Sequence, residues 1–308
     1  MYRKIMGFLE AWKENEHRKP LILQGARQVG KTYSILEFGR IHYENVAYFN
    51  FETNPKLNET FEEKISPDYL IPILSHIAGQ TIVKEKTLIV FDEVQLCERA
   101  LTSLKYFCED APDYHIIVAG SLLGVAVNRA KFSFPVGKVD MKTLYPMDME
   151  EFMIAVGEDE LVEQIKKCFE TNRPMPSALH DAAMQLYRQY LVVGGMPECV
   201  MQFVQTGDYI LIRHTQDTIL TSYLNDMSKY NNLNAIKKTR LAYDNITVQL
   251  SKKNTRFQYN LIKKGGRASE FENAIEWLCL SGIASQVYRV EQIKKPLENY
   301  RDIDAFKI

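Results

Sequence analysis

Eight consecutive residues, Gly25-Ala26-Arg27-Gln28-Val29-Gly30-Lys31-Thr32, follow the pattern G-x-x-x-x-G-K-[ST]. In that pattern the glycines let the backbone wrap closely around phosphate oxygens. The helix that such a loop opens offers unpaired N–H groups and the positive end of its dipole. Lys31 would reach the β- and γ-phosphates of ATP, while the Thr32 hydroxyl would ligate Mg²⁺. A second cluster, Leu88-Ile89-Val90-Phe91-Asp92-Glu93, sets two carboxylates at the end of an apolar run. Charges in that position are costly unless they meet a cation or water. Asp92 is placed to hold Mg²⁺, partly through water, and Glu93 to polarise an attacking water. The chemistry these residues could do together is hydrolysis of ATP.

Further candidates are less specific. Ser121, in Ala119-Gly120-Ser121, would sit between the two motifs. There it could orient water or the γ-phosphate, or simply cap the next helix. Arg27, Arg129 and Lys138 are available to neutralise a transition state, although each alone reads first as a surface charge.

Strands and helices must bring these groups to one place. Residues 21–24, 46–51, 87–91 and 115–119 read as strands, with a fifth around 136–144. Helical stretches fall between them, at 31–41, from the second strand up to Gly79, and at 100–108. The apolar runs lack strict alternation, as parallel strands buried on both faces do. This order predicts a doubly wound α/β parallel sheet. The extra strand at 46–51, lying between Lys31 and Asp92, together with the adjacent Glu93, favours the ATPase branch of P-loop proteins. Residues 147–230 show helical periodicity, broken at Arg173-Pro174-Met175-Pro176 and Gly194-Gly195-Met196-Pro197. From about 231 the order is helix (237–252), short helix (257–262), a Gly265-Gly266 turn, helix (269–281) and strand (284–290). Three helices and a β-ribbon are the order of a winged helix. The predicted domains are therefore 1–146, 147–230 and 231–308.

A chain of 308 residues exceeds the usual single core, in keeping with that division. At 46% hydrophobic and 25% charged it has ordinary globular composition, which excludes wholesale disorder, collagen and coiled coil. The longest nearly apolar run, 116–127, is too short for a membrane helix. No signal peptide is visible, and the five scattered cysteines form no C-x-x-C pair. A cytoplasmic protein with reduced thiols and no membrane partner is expected. The net charge of -1 hides an asymmetry, because residues 1–226 carry -8 and residues 227–308 carry +7. Between 227 and 268 ten basic residues face one acid, Asp244. Such a segment could meet a polyanion or be a solvated face. Lys252, Lys253, Arg256, Lys263, Lys264 and Arg267, interleaved with Phe257 and Tyr259, are its candidate DNA contacts through 252–267. The following helix carries Glu270, Glu272 and Glu276, which would repel phosphates, so base reading by that helix is not expected.

Gly25 to Thr32, Asp92-Glu93-Val94-Gln95 and Ala119-Gly120-Ser121-Leu122-Leu123-Gly124 place the chain in a family. It resembles the predicted AAA+ ATPases of bacteria and archaea that lie close to the archaeal-ATPase and signalling-NTPase groups. Phe134-Pro135-Val136-Gly137-Lys138, Leu144-Tyr145-Pro146-Met147 and Glu151-Phe152 look like the family's next segment, and Gly194-Gly195-Met196-Pro197-Glu198 is similar to its G-G-x-P motif. The resemblance spans essentially the whole chain. It implies a P-loop NTPase core of AAA+ type, a helical lid and a C-terminal winged helix. It also implies that Gly195 and Pro197 sense the nucleotide from the lid, although a helix-breaking turn needs no ligand. Where relatives often carry Arg after the phenylalanine-proline-valine-glycine segment, this chain has Lys138, which loses bidentate geometry. Relatives usually continue into a nuclease-like domain. The chain ends about where that domain would begin, so a truncated protein is expected.

The leading expectation is a Mg²⁺-dependent ATPase that uses hydrolysis as a conformational switch, with the winged helix contacting DNA or a protein partner. A cation from a neighbouring protomer of a homo-oligomer could complete its site. The alternatives are a nucleotide-responsive DNA-binding regulator with little turnover, and an interaction module without nucleic acid.

Overall fold

A computed structural model describes residues 1–121, 134–230, 233–253 and 256–308. The chain divides into two compact units, Met1–Ile219 and Leu220–Ile308.

The first unit opens with α1 (Ile5–Glu14) and continues as β1 (Leu21–Gly25), α2 (Lys31–His42) and β2 (Asn45–Asn50). Then come α3 (Leu57–Glu63), α4 (Pro67–Ala78), β3 (Thr87–Asp92), α5 (Glu98–Asp110), β4 (His115–Ser121) and β5 (Asp140–Thr143). The five strands form one sheet in the order β2-β3-β4-β1-β5, and every pairing is parallel. All residues of β3 and β4 are buried, as the continuous apolar runs predict for strands covered on both faces. Edge strands β2 and β5 keep half-exposed positions. The fifth strand is shorter than the sequence predicts. Gly137 adopts a left-handed φ of 74°, so the Pro135–Lys138 stretch turns, and pairing begins only at Asp140.

Phe49, Phe51, Phe61 and Phe91 pack with ring centroids 5.7 to 5.9 Å apart beside the end of β3. Edge-to-face and tilted contacts of this kind add to the area buried. They anchor the strand immediately before Asp92.

Helices α6 (Met149–Ala155), α7 (Asp159–Glu170), α8 (Ser177–Val193) and α9 (Pro197–Thr206) follow the sheet. A capping box starts α6. Asp148 accepts from the Glu151 N–H at 2.9 Å, and Glu151 accepts from the Asp148 N–H at 3.2 Å. The Gly194-Gly195 break ends α8, where Gly194 takes a φ of 74°. The Gly195 carbonyl accepts from the Met147 N–H at 2.6 Å, and a Cβ there would collide with the Met147 carbonyl. Helix α10 (Tyr209–Tyr230) carries the boundary between the two units, at 219/220.

The second unit holds α11 (Leu233–Leu250), α12 (Tyr259–Ile262), α13 (Ala268–Leu280), β6 (Val287–Val290) and β7 (Arg301–Lys307). The last two pair antiparallel. Helix α13 buries Phe271, Ala274, Ile275, Trp277 and Leu278, the spacing of one apolar face. Buried Gln249 clamps the entry to α12, because its amide donates to the Gln258 carbonyl at 2.9 Å and accepts from the Gln258 N–H at 3.1 Å. Among the described residues, no helix is long and apolar enough to cross a membrane.

Candidate active site

The carboxyl ends of parallel strands are where ligands of such sheets bind. Gly25 ends β1, Asp92 ends β3 and Ser121 ends β4. The loop after β1 climbs to α2 through two left-handed residues, Gln28 at φ 62° and Gly30 at φ 89°. Gly30 is the residue before the helix, where a side chain would be strained. Gly25 is needed for a different reason: a Cβ on it would collide with the Leu144 carbonyl.

Around this loop lies a cavity of about 480 Å³, within the size range of small-molecule sites. Arg27, Gln28, Gly30, Lys31 and Thr32 line it, together with Glu93 and Pro197. Gly25, Ala26 and Val29 do not line it. The first two instead turn their carbonyls to the Lys31 ammonium, at 3.0 and 2.9 Å. Burial pulls the Lys31 pKa down to about 8 against the attraction of Glu93 and Asp92. A phosphate arriving there would meet a cation hydrogen-bonded to two neutral carbonyls, and would stabilise its charged form.

Thr32 and Asp92, 60 positions apart, meet directly. The Thr32 hydroxyl donates to Asp92 Oδ2 at 2.9 Å, and the Tyr48 hydroxyl donates to the same oxygen at 2.7 Å. Asp92 Oδ1 accepts from the Glu93 N–H at 3.0 Å. A hydroxyl and a carboxylate side by side are the hard oxygen donors that Mg²⁺ takes, usually keeping several waters. The donor set thus fits the metal that the loop pattern implies.

Glu93 sits at a left-handed φ of 52°, which for a residue with a side chain stores about 1 to 3 kcal/mol. Its carboxylate accepts from the Gln95 side-chain amide. Burial, followed by the Asp92 charge, raises its pKa, which makes it a better proton acceptor than an exposed carboxylate.

The remaining candidates divide. Pro197, at the start of α9, lines the cavity, and its Cγ would lie 3.7 Å from a Cβ on Gly30. Gly195 does not line it, and packs against the Met147 backbone. Ser121 is 9% exposed and stands in register with Gly25, beside the cavity and not in its wall. Of the three candidate cations, Arg27 lines the cavity. Lys138 pairs with Glu109 at 3.0 Å and is absent from the wall, while Arg129 lies outside the described residues. Sequence reasoning missed Arg3, which also lines the cavity. Its hydrogen-bond partners are 26, 142 and 148 positions away, so no local pattern could announce it.

Comparison with known proteins agrees with the fold. Residues 17–153 match the model of a family described as AAA domain. Residues 184–308 match a domain of unknown function (DUF8612). Among solved structures, a Walker-type ATPase of Pyrococcus abyssi has a TM-score of 0.57 at 14% identity, over 100% of this chain and 93% of that one. The ORC2 protein of Aeropyrum pernix, in ADPNP-ADP complexes, has a TM-score of 0.47 at 12% identity, over 93% and 88%. The first likeness is one of fold, and the second is too loose to argue from. No curated protein matches the chain.

Lys31→Ala removes the one ammonium at the start of α2. Calorimetric titration of the folded variant with Mg-ATP should therefore give no measurable binding, whereas a dissociation constant equal to the parent's would remove the phosphate site from this loop.

Proposed function

We propose that this chain, whose residues 17–153 belong to the AAA domain family, binds ATP with Mg²⁺ and hydrolyses it as a conformational switch. The observation that carries the proposal is the Thr32–Asp92 hydrogen bond, with Lys31 and Glu93, the sequence neighbours of those two residues, lining one cavity.

Phosphoryl transfer to water needs positioning and charge neutralisation more than covalent chemistry. Lys31 would leave the Gly25 and Ala26 carbonyls for the β- and γ-phosphates. Thr32 and Asp92 would hold Mg²⁺, which when bound neutralises charge on the phosphate oxygens. Glu93 would orient the attacking water and accept its proton. The Gln95 amide holds Oε2 of the same carboxylate, and a carboxylate has lone pairs enough to accept from a water as well. Pro197, Glu198 and Met201 of α9 share the cavity wall, which supports α6 to α9 as a lid moved by the γ-phosphate. Ser121, at the end of β4, would act through its pairing with Gly25 of β1.

The second unit supports a winged-helix reading by its order of three helices and a ribbon. We take it as a contact for DNA phosphates, or for a protein partner. Lys252, Lys253, Arg256, Lys263, Lys264 and Arg267 are all exposed. Phe257 and Tyr259, however, are not free for bases. Phe257 is buried and stacks on Phe306 with centroids 5.1 Å apart, and Tyr259 packs edge-on against both. Lys263 also pairs with Glu270 at 3.3 Å. What remains are phosphate contacts, which give sequence-independent, salt-sensitive binding.

Two experiments test these proposals. Glu93→Gln should keep ATP bound and slow single-turnover hydrolysis by about two orders of magnitude or more, the usual worth of a general base; an unchanged rate would show that Glu93 is not the base. Changing Lys252, Lys253, Lys263 and Lys264 together to Glu should abolish binding of duplex DNA and flatten its salt dependence in fluorescence anisotropy. Equal affinity of parent and variant at every salt concentration would leave the protein-partner reading in its place.

A further inference from the structure

Arg3 is only 5% exposed although it stands three residues from the start of the chain. Its guanidinium fork has an acceptor for each of its nitrogens. Nη1 donates to the Val29 carbonyl at 3.0 Å, Nη2 to the Tyr145 carbonyl at 2.8 Å and Nε to Glu151 Oε1 at 3.1 Å. That Glu151 oxygen also accepts from the Lys4 N–H at 2.7 Å, and Glu151 belongs to the box that caps α6. One side chain therefore joins the phosphate loop to the first helix after the sheet.

The contact with Val29 has a stereochemical consequence. A peptide unit is planar and trans, so its C=O and N–H point in opposite directions. Holding the Val29 oxygen turns the Gly30 N–H away from Arg3. Gly30 lines the cavity and immediately precedes α2, where backbone N–H groups meet anions. The guanidinium runs close by, since Nη1 would lie 3.6 Å from a Cβ on Gly30. Its charge is matched by Glu151, whose side chain is as deeply buried as its own. Arg3 is thus poorly suited to be one more cation for phosphate, and well suited to orient a peptide.

We propose that Arg3 is a positioning residue for nucleotide binding: it fixes the Val29–Gly30 peptide with its N–H toward the phosphates and ties that peptide to α6. The inference rests on the phosphate-loop reading of residues 25–32. A lysine cannot replace it, because a single ammonium has no planar fork with which to reach three separated acceptors.

The test is calorimetric titration with Mg-ATP of the parent, Arg3→Lys, Arg3→Met and Leu9→Ala, with a thermal melt of each. Leu9 is fully buried on α1 and serves as a control for general loosening of the N-terminal segment. Both Arg3 variants should raise the dissociation constant about tenfold or more, equivalent to about 1.4 kcal/mol. Leu9→Ala should stay within about twofold of the parent despite a lowered melting temperature. Should Arg3→Met fail to fold, Arg3→Lys, which keeps a cation opposite Glu151, decides the matter. Parent-like affinity in Arg3→Lys, or an equal loss in Leu9→Ala, overturns the proposal. A folded parent that binds no Mg-ATP overturns the phosphate-loop reading, and this inference with it.

Discussion

The hydrogen bond from Thr32 to Asp92 constrains the rest of the structure. Thr32 lies in the first turn of α2, reached through the loop after β1, and Asp92 ends β3; β1 and β3 are not neighbours, because β4 lies between them. For the bond to form, the loop after β1 must pass over the end of β4. That strand ends in Ala119-Gly120-Ser121, and Ser121 stands beside Gly25 in register. Small residues there leave the loop its path. Gly25 itself admits no side chain against Leu144, so the loop is held closely on its other flank as well.

From that crossing the other groups take their places. Lys31 precedes Thr32 and folds back onto the loop carbonyls. Glu93 follows Asp92 and is turned by its left-handed backbone, a conformation that must be sustained by what surrounds it. The phenylalanine cluster around Phe91 and the Tyr48 hydroxyl on Asp92 provide that surrounding. Burial then shifts the titratable pair in the directions that nucleotide chemistry uses: the lysine is readier to take a new charge partner, and the glutamate readier to take a proton.

The core of this arrangement was legible in the sequence because its signals are local. The loop pattern, the apolar run ending in Asp92-Glu93 and each strand or helix of the alternation need only about a dozen residues to read. Long-range contacts were not legible. Nothing in the opening residues separates Arg3 from any surface arginine. Gly195 offered a motif whose ligand-sensing and turn-forming readings could not be told apart, and its contact with the Met147 backbone accounts for the glycine without a ligand. Phe257 and Tyr259 stand among the cations in the sequence, yet they close a small core with Phe306. Periodicity cannot distinguish an aromatic beside a lysine in solvent from one beside a lysine with its ring turned inward.

The most direct measurement is the affinity for ATP with Mg²⁺ and with EDTA, in the parent and in Thr32→Val. The substitution keeps the shape of the side chain and removes only its hydroxyl. If Thr32 and Asp92 together hold the metal, the parent binds about tenfold or more tightly with Mg²⁺, and Thr32→Val loses that gain while keeping the affinity measured in EDTA. A gain from Mg²⁺ that is equal in the parent and in Thr32→Val would contradict the account.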